Sequence, residues 1–440
     1  MSFQTRIFLE KGGREHTMAW ATKSSSGNHK VVCIPGNPGM VGDGIECDAS
    51  VSLENHAALI QLIKGYPKPV VFPGSEELLA AGIVDDFDAV GIPIVGPTRQ
   101  AARLETDKAF AAEFLERVGV PIPASRVFTD YGAAVDCVSS KNVQLPLVIK
   151  ARGICAGKGV VIARTVEEAK AALKQFMVDE IHGEAGTVVV IQEFLVGKEC
   201  SIIAFSDGND LVCTRATRDH KPLYSGDRGP NTGGMGVYGW LDEIGPDLMS
   251  SIREEVFMRT LRGHQDRGIP CKGILYAGLI ILPDGSYRLL EWNRRMPDPE
   301  TQVILPLLDT PFTEVVDAMV NGGIAKLGEL RWKPGYACCV IMAAANYALV
   351  GEKVPSGDQI EGLDDHYQLP SVPDGMNIHV IHAGTAIQDN RLVTAGGRVL
   401  GVTARAMTLD GSVRDAYWAV ERIRWTGEHH RTDIGAYASK

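Results

Sequence analysis

One stretch limits what this chain can fold into: residues 284–302, DGSYRLLEWNRRMPDPETQ. Asp284-Gly285 is a hairpin-turn signal between two apolar runs, GILYAGLIIL (273–282) and YRLLEW (287–292). On the second strand Glu291 and Asn293 stand two residues apart, so both side chains point to the same face. A carboxylate and an amide oxygen converging there suit a hard divalent cation, which takes oxygen ligands and shares them with substrate phosphates. Arg294 and Arg295 follow, then Asp298 and Glu300 in a proline-locked turn. Taken alone, the stretch is better explained by an exposed strand end with solvated charges.

A second stretch changes that balance. In PLVIKARGICAGKGVVIA (146–163), the β-branched runs LVIK and GVVIA flank a loop containing Gly153, Gly157 and Gly159. Glycine lets backbone N–H groups approach an anion with no Cβ in the way. Lys150 leaves the end of the first run and Lys158 sits inside the loop, so two cations and several amides can cradle a polyphosphate. The loop joins two strands and lacks GxxxxGK[ST], which excludes a Walker A loop. By itself it also fits a flexible hairpin with solvated lysines.

Composition narrows the functional classes. A chain of 440 residues with 45% hydrophobic content can bury a sizeable core and divide into two to four domains. A formal charge of -10 without a basic arm argues against nucleic acid as a partner. Nine scattered cysteines without CxxC or Cys/His ligand spacing read as the reduced thiols of a cytosolic protein. The sequence has no signal-like N-terminus and no run of 18 apolar residues, so a cytoplasmic protein without membrane contact is expected.

Residues 1–100 read as a small α/β domain. RIFLEKGGREHTMAWA predicts a strand, a glycine turn and a helix, and VVCIP, PVVF and PIVG predict three more short buried strands. Gly12, Gly13, Arg14 and His16 at a helix start can bind a phosphate through amides and positive charge, or form a plain strand–turn–helix. From 98, RQAARLETDKAFAAEFLERVGV has helical periodicity that ends at Gly119 and Pro121. DHKPLYSGDRGPNTGGMG (219–236) is too polar and glycine-rich for core and too long for a simple turn.

A glycine-rich hairpin above and a metal-bearing sheet below resemble the ATP-grasp superfamily. With GPTRQAARLETDKAF (96–110), VVVIQEFLVGKECS (188–201), DRGPNTGGMGVY (227–238), DPETQ (298–302), HAGT (382–385), GGRVLGVTA (396–404) and RTDIG (431–435), the chain is similar to the phosphoribosylamine–glycine ligase family from about residue 6 to its end. The resemblance implies an α/β protein with the ATP-grasp fold. It divides into an N-terminal parallel-sheet domain (1–100), a helical linker (101–125), a lid with the glycine hairpin (126–193), a large domain with the metal site (194–330) and a C-terminal lobe (331–440).

It also implies site residues. ATP would be held by Lys108, Lys150, Gly153, Gly157, Lys158, Gly159, Gln192, Glu193, Phe194, Leu195 and Glu199, with Glu291 and Asn293 holding Mg²⁺ or Mn²⁺. Substrates would contact Gly13, Arg14, His16, Asp219, Lys221, Asp227, Asn231, Thr232, Gly233, Asp298 and Glu300, while Arg295, Lys150 and Lys158 act in catalysis. The implied reaction joins glycine to 5-phosphoribosylamine through an acyl phosphate, in a monomer or homodimer working on small molecules. Glu10, Ser225, Arg228 and Pro297 depart from the family pattern near the expected acceptor. These departures motivate an alternative, a ligase for another amino acid or amine; a nucleotide-binding regulator without turnover is a third reading.

Overall fold

The computed structural model describes residues 4–25, 29–155 and 159–436. The N-terminal unit is a four-stranded parallel sheet in the order Glu46–Cys47, His29–Pro35, Gln4–Glu10, Pro69–Pro73. Ile7, Phe8 and Leu9 of its central strand have no exposed surface, each contributing about 1.5–3 kcal/mol of burial. The expected PIVG strand reduces to one bridge, Val71 to Ile94, because Pro93 has no N–H to donate and Gly96-Pro97 breaks the extended run. Glu46–Cys47 supplies the sheet edge in its place.

The predicted linker helix is two helices, Arg99–Thr106 and Lys108–Arg117. Asp107 separates them in extended conformation and caps the second, its carboxylate accepting from Phe110 N–H at 3.0 Å. The lid is an antiparallel sheet ordered Ser125–Phe128, Val189–Glu193, Leu147–Ala151, Val160–Ala163, backed by helices Tyr131–Ser139 and Val166–Met177. Leu147–Ala151 and Val160–Ala163 form the expected hairpin; Gly157 and Lys158 lie outside the described residues.

The remainder is built on a nine-stranded sheet in the order Tyr287–Asn293, Lys272–Ile281, Lys198–Asp207, Thr217–Asp219, Gly236–Gly239, Tyr336–Ala343, Arg398–Ala406, Asn377–His382, with Leu211–Cys213 paired to the third. The hairpin at Asp284-Gly285 forms as predicted, Asp284 Oδ1 accepting from Ser286 N–H at 2.9 Å. Its second strand carries a bulge, since Gly278 pairs with Glu291 but Leu279 pairs with Leu289. The extra residue, Leu290, reverses the inward alternation: Tyr287 and Leu289 are buried before it, Trp292 after it. Glu291 and Asn293 therefore share the face opposite the core. The following turn leads into helix Thr301–Leu307, buried along its whole length against helix Gly13–Ser24. No helix among the described residues is long and apolar enough to cross a membrane.

Candidate functional site

A cleft of about 1100 Å³ opens between the N-terminal unit, the lid, strand Tyr287–Asn293 and the C-terminal lobe. At the lid end, Lys150 points from strand Leu147–Ala151 and donates to the carbonyl of Leu290 at 3.1 Å, the residue the bulge leaves over. Burial pushes its ammonium down to about 8, against the pull of Glu291 and with Lys108 and Lys221 adding to the fall. Lys108, first in its helix, donates to the Gly153 carbonyl at 2.8 Å and so fixes the base of the glycine hairpin. A Cβ at Gly153 would stand 2.6 Å from the Ala185 side chain, which explains glycine there. Gly159 and Gln192 also line the cleft.

The expected backbone wall Glu193–Leu195 is not in the cleft lining. Glu193 is turned away: its N–H donates to Ala124 O and its carboxylate accepts from Ala124 N–H at 2.8 Å. Phe194 and Leu195 follow it out of the cleft. Glu199 is not in the cleft lining but stands 3.6 Å from Lys221 Nζ, which is.

Glu291 and Asn293 both face the cleft. Lys221 Nζ stands 3.5 Å from the Glu291 carboxylate and, against burial and with Lys150 and Lys108, holds it down to about 2. An ionised carboxylate beside an amide oxygen fits a divalent oxygen-ligated cation. Arg294 is structural: fully buried, it donates to the carbonyls of Ile274 and Lys272. Arg295 lines the cleft but is already paired, 2.6 Å from Glu76 and 3.3 Å from Glu105.

Deeper in, Glu300 accepts from Ser201 Oγ at 2.8 Å, and Ser201 also meets Tyr276 OH at 3.3 Å. Asp219 lies beside this pair, and its Oδ1 has no hydrogen-bond partner among the described residues. Burial, then the neighbouring Glu300, raises its carboxyl well above the usual range. Lys221 stays charged, because Glu291, Tyr276, Glu199 and Asp219 outweigh the effect of burial. Asn231, Thr232 and Gly233 form the opposite wall. Thr232 Oγ1 donates to Lys221 O and accepts from Gly234 N–H, and Gly234 at φ +111 brings the chain within contact of Asp219 and Pro299. Asp298 accepts from Gln302 Nε2 at 2.7 Å. Pro297 and Arg14 reach the cleft, Arg14 held by Glu15 at 2.6 Å.

Several expected contacts lie elsewhere. Gly13 is pressed against Gln302 and does not line the cleft. His16 has no exposed surface; its Nε2 is 3.0 Å from Asp43 Oδ2, which also meets His379 Nε2 at 3.0 Å. His382 N–H donates to His16 Nδ1, so the proton sits on Nε2 and points at Asp43. These three groups cluster as metal ligands do, yet that tautomer makes them a hydrogen-bonded joint between the N-terminal unit and the C-terminal lobe. Asp227 pairs with Arg431 at 2.9 Å. Ser225 bonds to Thr432, and Arg228 Nε donates to Ser225 O. The tip of hairpin Pro222–Tyr224/Arg228–Asn231 thus docks on residues 431–433 instead of entering the cleft. Glu10 sits at φ +107, its carboxyl raised by burial and Glu15 and accepting from Ser75.

Other residues come into view only in the structure. Glu76 and Glu105 grip Arg295, Tyr276 lines the cleft beside Ser201, and the C-terminal lobe contributes Tyr347 and Arg398. Arg398 stands inside GGRVLGVTA and Glu105 inside LETDK, so the segments carried a signal without marking the residue.

Comparison with known proteins matches the phosphoribosylglycinamide synthetase N domain to residues 6–105, its ATP-grasp (A) domain to 106–301 and its C domain to 337–437. The phosphoribosylamine–glycine ligase of Ralstonia nicotianae is 42% identical over 98% of both chains. The chicken trifunctional purine biosynthetic protein adenosine-3 is 41% identical over 98% of this chain, which spans only 42% of that relative's length. The crystal structure of phosphoribosylamine–glycine ligase from Thermotoga maritima superposes with TM-score 0.82 at 32% identity, covering 98% of this chain and 100% of the other. Biotin carboxylase from Campylobacter jejuni, TM-score 0.70 at 12% identity over 97% and 93% of the two chains, shares the fold.

Proposed function

The chain belongs to the phosphoribosylglycinamide synthetase family, and from that premise we propose that its cleft joins glycine to 5-phosphoribosylamine, converting ATP to ADP and phosphate and releasing glycinamide ribonucleotide. The carrying observation is that one cleft holds two kinds of chemistry. Lys108 and Lys150 meet beside the glycine hairpin and the ionised Glu291 at one end, and a buried carboxylate pair, Asp219 and Glu300, lies at the other.

A carboxylate is a poor electrophile, so the glycine carboxylate first attacks the γ-phosphorus and ADP leaves. The unprotonated amine then attacks the acyl carbon of glycyl phosphate: the C–N bond forms, the acyl C–O bond breaks, and phosphate leaves with the proton released by the amine. Neither step needs a nucleophilic side chain; positioning and charge neutralisation suffice. Lys150, largely protonated at neutral pH with its value near 8, and Lys108 neutralise the phosphates, joined by Lys158 from the hairpin. Mg²⁺ or Mn²⁺ held by Glu291 and Asn293 would add charge neutralisation at the same oxygens. Asp219 and Glu300 receive the amino group of glycine, and Asn231, Thr232 and Gly233 close over it. Arg295, anchored by Glu76 and Glu105, locks the N-terminal unit to the metal-bearing strand.

The divisions at 1–100, 101–125, 126–193, 194–330 and 331–440 then correspond to acceptor binding, hinge, lid, catalytic floor and closing wall. We read the protein as a cytoplasmic monomer or homodimer acting on small molecules. The test is ADP release by the purified chain over a panel of amino acids and amines, with the product identified by mass. Turnover that requires glycine and phosphoribosylamine is expected; ADP release with a different pair and none with these would overturn the reading.

A further inference from the structure

Resting on that reading, we infer that Arg398 of the C-terminal lobe holds the carboxylate of the amino-acid substrate. A substrate carboxylate needs a cation whose charge is not already cancelled, and the cleft has few. At the acceptor end Arg14 is 2.6 Å from Glu15, and Arg295 is 2.6 Å from Glu76 and 3.3 Å from Glu105. Lys221 lies between Glu291 and Glu199, at 3.5 and 3.6 Å. Lys108 and Lys150 sit at the lid end, bonded to Gly153 O and Leu290 O.

Arg398 differs in its partners. Both hydrogens of Nη1 go to neutral carbonyls, Gly233 O at 2.6 Å and Asp298 O at 2.7 Å, which orient a guanidinium without cancelling its charge. Among the described residues its one carboxylate contact is long, 3.4 Å from Nη2 to Asp298 Oδ2, and Asp298 is itself shared with Gln302. Among the described residues Nε–H and the second Nη2–H have no acceptor, and the side chain faces the cleft. That edge is the fork which binds a carboxylate through two parallel hydrogen bonds. Asp219, close enough for Arg398 to act on its charge, completes the complement to a zwitterion with Glu300: a guanidinium for the carboxylate, two acids for the ammonium. The phosphate of the amine substrate would meet those two acids at the same place and be repelled.

The experiment is equilibrium dialysis of radiolabelled glycine in the presence of a non-hydrolysable ATP analogue, for the intact chain and for Arg398→Gln and Arg398→Lys, with the KM of each substrate measured alongside. Arg398→Gln is expected to raise the glycine Kd at least tenfold, leave the analogue's Kd within threefold and leave the KM for the amine within threefold. Arg398→Lys, which keeps charge and loses the fork, should recover part of the binding. A glycine Kd within twofold of the intact chain's in Arg398→Gln overturns the inference. So does a rise confined to the amine's KM, which would make the ligand its phosphate, or an equal loss of analogue binding, which would make the role structural. If Arg398→Gln does not fold, Arg398→Lys decides alone: a rise of threefold or more supports the inference and no rise overturns it. Glycine binding by the intact chain without amide product would sink the proposed function while leaving the anchor standing; product formation with an unaltered Arg398→Gln would do the reverse.

Discussion

Lowering the pH from 7 to 5 should remove a large part of this protein's folding stability, and buried histidines are the reason. His264 and His382 have no exposed surface and His220 has 4%. Burial lowers all three, aided by Arg294 beside His264, His16 beside His382 and Arg431 beside His220, so that His264 and His382 fall to about 3 and His220 to about 4. A base with a depressed folded pKa contributes stability that is complete above its unfolded value, about 6.5, and is lost as the pH falls toward the folded one. Below about 6.5 each ring takes up a proton on unfolding, which costs about 1.4 kcal/mol per pH unit once the unfolded ring is charged. Integrated from pH 7 to 5, the loss is about 1.9 kcal/mol per ring and about 6 kcal/mol for the three, against roughly 5–15 kcal/mol for a whole native protein. Buried carboxyls raised above the usual range, Glu10 and Asp219, take up protons first in the folded chain and so offset part of this loss, while Glu291, held near 2, adds to it only around pH 5 and below. Urea midpoints at pH 7, 6 and 5, followed by circular dichroism, should fall steadily. Ring-proton NMR of the folded chain should show these three imidazoles silent above pH 5. Midpoints flat across the window, or two of the three rings titrating between pH 6 and 7 while folded, would refute the reasoning.

Two further outcomes follow from the cleft. Glu291→Gln keeps the shape of the side chain but removes the ionised ligand, so kcat should fall at least about a hundredfold, or about 2.7 kcal/mol, with the folded circular dichroism spectrum retained; near-normal turnover at saturating Mg²⁺ would remove the metal role. Ser225→Asp with Arg228→Thr should leave kcat/KM for the amine within about twofold, because Ser225 docks on Thr432 and Arg228 bonds back to the carbonyl of Ser225; a tenfold change would mean the hairpin tip reaches the acceptor after all.

That second outcome reverses what the sequence suggested, and the reason is physical. Ser225 and Arg228 flank the GPNTGG wall in sequence, but a hairpin turns its tip away from its base, and here the tip meets Thr432 and Asp433, some 200 positions later. Nothing local encodes that partner. His16 was misplaced likewise: a histidine in a helix's first turn reads as an anion contact until Asp43 and the His382 amide take both ring nitrogens. Glu291 and Asn293 were legible because turn chemistry fixed the hairpin and a two-residue spacing fixed their face. The bulge at Leu290, which reconciles that face with a buried Tyr287 and Leu289, was not, since alternation alone counts no extra residue. Lys150 was legible from its strand, while Arg398 reaches the cleft only because the C-terminal lobe folds against it, which no local pattern encodes.

The pairing of Gly236–Gly239 with Tyr336–Ala343 gives the sheet a history as well as a shape. Backbone hydrogen bonds run unbroken from strand Tyr287–Asn293 to strand Asn377–His382 of the lobe, so the C-terminal quarter cannot be treated as a detachable module. Cutting the chain ahead of Tyr336 would bare the Gly236–Gly239 strand as a new edge, its N–H and C=O groups unsatisfied and flanked by apolar Val237 and Tyr238. Such an edge recruits any strand it meets. Residues on either side of Tyr336 therefore share one ladder, and neither part is expected to keep its sheet when expressed without the other.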